Sequence, residues 1–155
     1  KRQEEHPQRP VLGTCAGAIL LATPGGSNRS LLRAEISRNA WGRQRDSFEA
    51  GVALSFETPA GGDFSPNKAS RDQFNHQPLP VGEMARSEHE ELFPGVFIRA
   101  PRFVQSSVGC TPEAILGDEI VGVLDGQRLA LTFHPELTND YRFHRWLIHQ
   151  SFLTN

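Results

Sequence analysis

Three residues of this 155-residue chain have the types and spacing that nucleophilic catalysis needs: Cys15, His134 and Glu136. Cys15 stands in Gly13-Thr14-Cys15-Ala16-Gly17, between the apolar runs Val11-Leu12 and Ala18-Ile19-Leu20-Leu21-Ala22. A thiol placed where a strand hands over to a helix gains from the free N–H groups and dipole of the helix start, which favour the thiolate. Small neighbours let a substrate carbonyl approach the sulfur, and the Ala16 N–H can donate to the oxyanion that forms. The competing account is an inert thiol buried on a tight turn, which is common for free cysteine.

His134-Pro135-Glu136 supplies what a cysteine nucleophile requires: a base, and a third group that fixes the tautomer and orientation of that base. In extended chain residues i and i+2 project from one face, and Pro135 biases His134 toward extended geometry. The competing account is a surface histidine beside a helix-capping glutamate. A zinc site of the deaminase kind would need a later Cys-x-x-Cys, which the sequence lacks. The other histidines, His6, His76, His89, His144 and His149, fall near the termini, in the polar middle or in the last helix, and are expected to be solvated.

Strand, tight small-residue turn and buried helix form an α/β unit, and the rest of the chain offers partners for it. Val52, Leu54 and Phe56 alternate as a strand would, Gly95 to Pro101 reads as a short strand closed by proline, and Ile120–Leu124, Asp125-Gly126 and Leu129–Phe133 read as a hairpin. From Asn139 the pattern turns helical, with Phe143, Trp146 and Leu147 on one face and Thr138 or Asp140 as cap. Between Thr58 and Glu91 lie four prolines and only five large apolar residues, too few to offset the entropy of ordering; the stretch is expected to be a mobile insert within a single domain spanning residues 1–155.

Composition narrows the function classes. A net charge of −2 and no clustering of the cations argue against a nucleic-acid footprint. The sequence has no run of 18 apolar residues to span a membrane, and two cysteines, Cys15 and Cys110, are too few for a disulfide scaffold. A cytoplasmic protein is the expectation. Lys1 to Glu5 reads as the tail of a helix or linker running into the first strand.

Four stretches together resemble a known family. Gly13 to Ala22 resembles the nucleophile motif of class I, or triad, glutamine amidotransferases. Arg38-Asn39-Ala40-Trp41-Gly42-Arg43-Gln44, Gly95-Val96-Phe97-Ile98-Arg99-Ala100-Pro101 and Phe133-His134-Pro135-Glu136-Leu137 narrow it to the glutaminase subunits of pyridoxal 5′-phosphate synthase.

The resemblance implies a flavodoxin-like, three-layer α/β domain with a mostly parallel sheet. It implies Cys15 as nucleophile on the glutamine amide, His134 as proton relay, Glu136 as its orienting group, and Arg38, Ile98 and Arg99 as holders of L-glutamine. An arginine fork suits that task because it grips a carboxylate bidentately. Ammonia is expected to pass to a synthase subunit within a large hetero-oligomer, with pyridoxal phosphate as product of the complex and no cofactor or metal on this chain. Family members carry further strands and a Gly-Gly-Glu-Ser loop ahead of the nucleophile; no such loop precedes Cys15 here, so an N-terminal segment is expected to be missing. Two alternatives stay open: a cysteine hydrolase of another amide or ester, and a truncated, inactive partner-binding module.

Overall fold

The computed structural model describes residues 6–23, 29–38, 47–55 and 92–154. The strand at Val11–Thr14 (β1) passes directly into the helix Ala16–Ala22 (α1). There follow Ile36–Ser37 (β2), Ser47–Leu54 (β3), Leu92–Ile98 (β4), Arg102–Phe103 (β5), Thr111–Leu116 (β6), Glu119–Asp125 (β7), Arg128–Leu131 (β8) and the closing helix Arg142–Leu153 (α2). Single 3-10 turns occupy Gln105–Ser107 and Pro135–Leu137. The stretch 58–91, residues 24–28 and most of the Arg38–Gln44 motif lie outside the described residues.

Six strands make one sheet in the order β1-β8-β7-β6-β3-β4, and β2 pairs with β5 separately. The α/β layering stands as expected, but the sheet is mixed: among the described residues only β1 with β8 is parallel. Two tight loops are the physical reason. Gly117 (φ 63°) opens the β6–β7 hairpin and Gly126 (φ 61°) opens the β7–β8 hairpin, conformations that cost glycine nothing. Because Asp125 pairs with Arg128, the loop residues are Gly126 and Gln127, one step later than Asp125-Gly126.

Strand β8 shows how the layers are dealt. Ala130 faces the layer of α1, packing with Ala18, Leu21, Ala22 and Val123. Leu129 and Leu131 face the other layer, with Phe93, Phe97, Phe133, Phe143 and Trp146. That alternation is the period-two geometry of a strand covered on both faces. The aromatic layer also holds Val52 of β3 and Phe97 of β4, so the sheet curls until strands distant in its order share a core with β8. Phe133 packs against Phe93, Phe97 and Phe143 at ring-centroid separations of 5.7, 5.3 and 5.6 Å.

The last helix behaves as its pattern predicts: Phe143 and Trp146 are buried and Leu147 packs against the same core. Asp140 accepts the Arg142 N–H through Oδ1 at 3.0 Å, satisfying a first-turn donor, whereas Thr138 turns back to donate to Pro135 O at 3.0 Å.

Candidate active site

Cys15 is fixed by its backbone from both sides. Its N–H donates to Leu131 O at 2.8 Å, extending the β1–β8 ladder, and its carbonyl accepts the Ile19 N–H at 3.3 Å, starting α1. The turn between these bonds puts Cys15 at φ 47° and ψ −104°, a left-handed conformation for a residue with a Cβ. Such strain costs on the order of 1–3 kcal/mol and persists only where the surroundings dictate it. The elbow is tight enough to require Gly13: a Cβ there would come within 2.6 Å of Leu21 Cδ1 and 2.9 Å of the Gly17 backbone.

His134 hangs from the same strand edge as the thiol. Its N–H donates to Val96 O at 2.8 Å, while Cys15 Sγ lies 3.9 Å from Ile98 O, at the reach of a weak S–H···O contact. Carbonyls two apart on a strand point the same way, so β4 gathers both residues on one rim. His134 Nδ1 sits 2.7 Å from Glu136 Oε1. With Nδ1–H donating to the carboxylate, Nε2 keeps its lone pair and is free to take a proton.

The expected proximity of His134 and Glu136 is present, but not by extended geometry. Pro135 starts a 3-10 turn, closed by Leu137 N–H to His134 O at 3.3 Å and Thr138 N–H to Pro135 O at 3.2 Å, and this curl brings Glu136 back to the imidazole. Burial pushes the Glu136 carboxyl up, yet the hydrogen bond and charge of His134, with a backbone N–H and the charge of His144, outweigh it and hold the group below the usual range. Glu136 is therefore an anion.

The thiol differs from expectation. Burial raises the Cys15 pKa more than the Ala16 N–H and the Arg99 charge lower it, and the Glu136 anion raises it further. Desolvation of a short side chain in the elbow exceeds what the Ala16 N–H and the Arg99 charge supply. Cys15 thus rests as a thiol.

Arg99 also adopts a left-handed backbone, φ 41°, directly after Ile98, and its charge reaches Cys15. Arg38 stands on an exposed turn after β2. The Ser37–Arg102 pairing sets it toward Pro101, but no described contact joins it to Cys15. His144 departs from the expected solvation: it is half-buried, with Nδ1 enclosed, and its charge acts on Glu136. Its sequence signal was its place beside the buried Phe143. His76 and His89 lie outside the described residues. Among the described residues no group of three His, Cys, Asp or Glu could hold a metal ion, and no helix is long and apolar enough to cross a membrane.

A strained cysteine elbow between strand and helix, within a layered α/β domain, is a nucleophile-elbow arrangement of the kind glutamine amidotransferases carry. A crystal structure described as a glutamine amidotransferase superposes with TM-score 0.64 at 33% identity, over 97% of this chain and 65% of that one. The profile of the SNO glutamine amidotransferase family matches residues 2–64 and 71–153, and the chain belongs to that family. Among its relatives, the pyridoxal 5′-phosphate synthase subunit PdxT of Thermococcus gammatolerans is 39% identical over 149 residues, covering 92% of this chain and 59% of the relative. The same subunit of Pyrococcus horikoshii is 39% identical over 146 residues, covering 90% and 58%. That of Chloroflexus aurantiacus is 38% identical over 143 residues, covering 87% and 59%. The chain spans rather less than two thirds of the length of these relatives.

Proposed function

We propose that this chain hydrolyses L-glutamine to glutamate and ammonia through a Cys15 thioester. The observation that carries the reading is the His134–Glu136 pair at 2.7 Å, suspended from the same β4 rim as the strained Cys15.

His134 Nε2 takes the Cys15 proton, and the thiolate attacks the side-chain amide carbon of glutamine. The Ala16 N–H donates to the oxyanion of the tetrahedral intermediate. Collapse breaks the C–N bond, His134 returns its proton to the leaving nitrogen, and ammonia departs. Water, deprotonated by the same imidazole, then attacks the thioester carbon; glutamate leaves and the thiol is restored. Glu136 keeps Nδ1–H engaged and stabilises the transient imidazolium. Arg38 and Arg99 hold the glutamine carboxylate, with Ile98 lining the site beside them.

The ammonia passes to a pyridoxal 5′-phosphate synthase subunit in a hetero-oligomer, the assembly implied by the PdxT relatives. The reaction takes place in the cytoplasm, where a catalytic thiol stays reduced; Cys15 and Cys110 are both unpaired. Glutamate release by the full natural chain, assayed with the synthase subunit, tests the reading. Glutamine-dependent release that vanishes in C15A is expected, and release unchanged in C15A overturns it.

A further inference from the structure

The loop that carries His134 and Glu136 is fastened to β4 at both of its ends. At the start, the His134 N–H donates to Val96 O at 2.8 Å. At the far end, Arg142 donates through Nη2 to Leu92 O at 2.9 Å. Leu92 and Val96 stand in the same phase of one strand, so their carbonyls point to the same edge as that of Ile98, which faces Cys15. Arg142 does not reach Leu92 as a loose side chain. Asp140 grips its guanidinium, with Nε 3.1 and 2.9 Å from Oδ1 and Oδ2 and Nη2 2.7 Å from Oδ2. The two side chains are only 20% and 22% exposed, so the pair is shielded from solvent as a surface pair is not. The guanidinium also lies over the buried Phe93 ring, 5.4 Å from its centroid.

A continuous set of contacts runs from this clamp to the His134–Glu136 pair. Asp140 N–H donates to Thr138 Oγ1 at 3.2 Å, and Thr138 Oγ1 donates to Pro135 O at 3.0 Å. Pro135 opens the 3-10 turn whose next residue, Glu136, meets His134. Phe133 and Phe143, which bracket the loop, both pack on Phe93, at 5.7 and 4.8 Å between ring centroids. The contacts therefore close a ring: β4, His134, the 3-10 turn, Asp140, Arg142 and β4 again. We propose that Arg142 is a positioning residue for the reaction: by clamping Asp140 to Leu92 O it closes the loop on β4 and keeps the Glu136 carboxylate at His134 Nδ1. This rests on the triad reading above. Arg38, Ile98 and Arg99, the residues assigned to glutamine, lie outside the ring, so the clamp serves proton transfer and not substrate binding.

The test compares Arg142→Met, which removes the clamp, with Arg142→Lys, which keeps a cation and a donor. Arg33→Met is the control, because it cuts the equally bidentate Arg33–Asp125 pair instead. Two readouts are taken on the full natural chain: kcat and KM for glutamine with the synthase subunit present, and the nitrogen-15 NMR spectrum of His134 where its imidazole is neutral, which shows whether Nδ1 or Nε2 carries the proton. In Arg142→Met, kcat falls severalfold with KM unchanged and the share of Nδ1-protonated imidazole drops; Arg142→Lys returns both toward wild type. Asp140→Asn keeps an acceptor for the Arg142 N–H but loses the charge, so it matches Arg142→Met, and the double variant is no worse than either alone. Should Arg142→Met fail to fold, Asp140→Asn carries the comparison. A His134 spectrum unchanged in Arg142→Met overturns the proposal, as does a loss of kcat no larger than in Arg33→Met. Undiminished glutamate release in Cys15→Ala would instead sink the triad reading, while the spectrum would still decide whether Arg142 keeps His134 against Glu136.

Discussion

His134 Nδ1 and Glu136 Oε1 are 2.7 Å apart although the chain leaves extended geometry between them. The 3-10 turn opened by Pro135 does what an i, i+2 strand pair was expected to do: it sets the Glu136 backbone where its carboxylate reaches Nδ1. A proton on Nδ1 donating to that carboxylate leaves Nε2 with its lone pair.

The first prediction concerns that pair. Glu136→Gln keeps the shape and removes the charge that stabilises the imidazolium, so turnover falls while the melting temperature stays close to wild type. His134→Asn removes the base itself and should lower turnover by about 10²–10⁴-fold. Steady-state glutamate release, with circular dichroism to confirm the fold, reads both. Near-normal turnover in His134→Asn would contradict the assignment.

A second prediction concerns Glu113, buried at the irregularity between β6 and β7 where the register shifts around Pro112 and Ala114. Burial pushes its carboxyl above the usual range. A carboxyl raised in the folded state leaves stability intact at low pH and erodes it as pH rises through the folded value. Glu113→Gln should therefore raise the melting temperature by a few degrees at pH 7 and leave it unchanged below about pH 4, where the group is neutral folded and unfolded. Thermal melts across that range give the answer; a variant less stable at pH 7 would mean that the carboxylate has a stabilising partner.

The third prediction links packing to chemistry through β4. A Cβ on Gly95 would lie 2.7 Å from Val52 Cγ2 and 2.8 Å from Phe97 Cε2, both in the filled core. Overpacking of this kind costs about 1–3 kcal/mol. Because the next residue, Val96, accepts the His134 N–H and Ile98 O faces the thiol, Gly95→Ala should lower kcat as well as stability. Denaturant melts and glutamine kinetics on the same preparation test the link; lost stability with full turnover would show that β4 does not set the geometry of the site.

The elements legible in the sequence were those carried by local chemistry. The small residues between Val11-Leu12 and Ala18–Ala22 marked the elbow, and Asp125-Gly126 marked a hairpin, with the loop displaced by one residue because a single glycine provides the positive φ. Strand β6 went unmarked because Pro112, Glu113 and the irregular register break its alternation. Of the antiparallel pairings only the β7–β8 hairpin left a local signal; the pairing of β3 with β4 and β6 joins residues distant in sequence and leaves none. The same holds within the site. Cys15, His134 and Glu136 could be named from residue types, whereas the bonding of His134 to Val96 and of Cys15 to Ile98 is a product of the curl of the sheet. The thiol was misjudged because a helix start is visible in sequence and burial of one sulfur is not.

The central claim is that Cys15 is a nucleophile because His134 can deprotonate it, and the chain contains its own control. Cys110 is likewise half-buried and likewise pushed up by burial, but Asp125 and Arg33, rather than an imidazole, are its charged neighbours. The most direct measurement treats the full natural chain, with the synthase subunit present, with an electrophilic glutamine analogue and maps the adduct by peptide mass spectrometry. The account predicts modification of Cys15 alone, prevented by excess glutamine and abolished in His134→Asn. Equal labelling of Cys15 and Cys110, unaffected by glutamine, would contradict it.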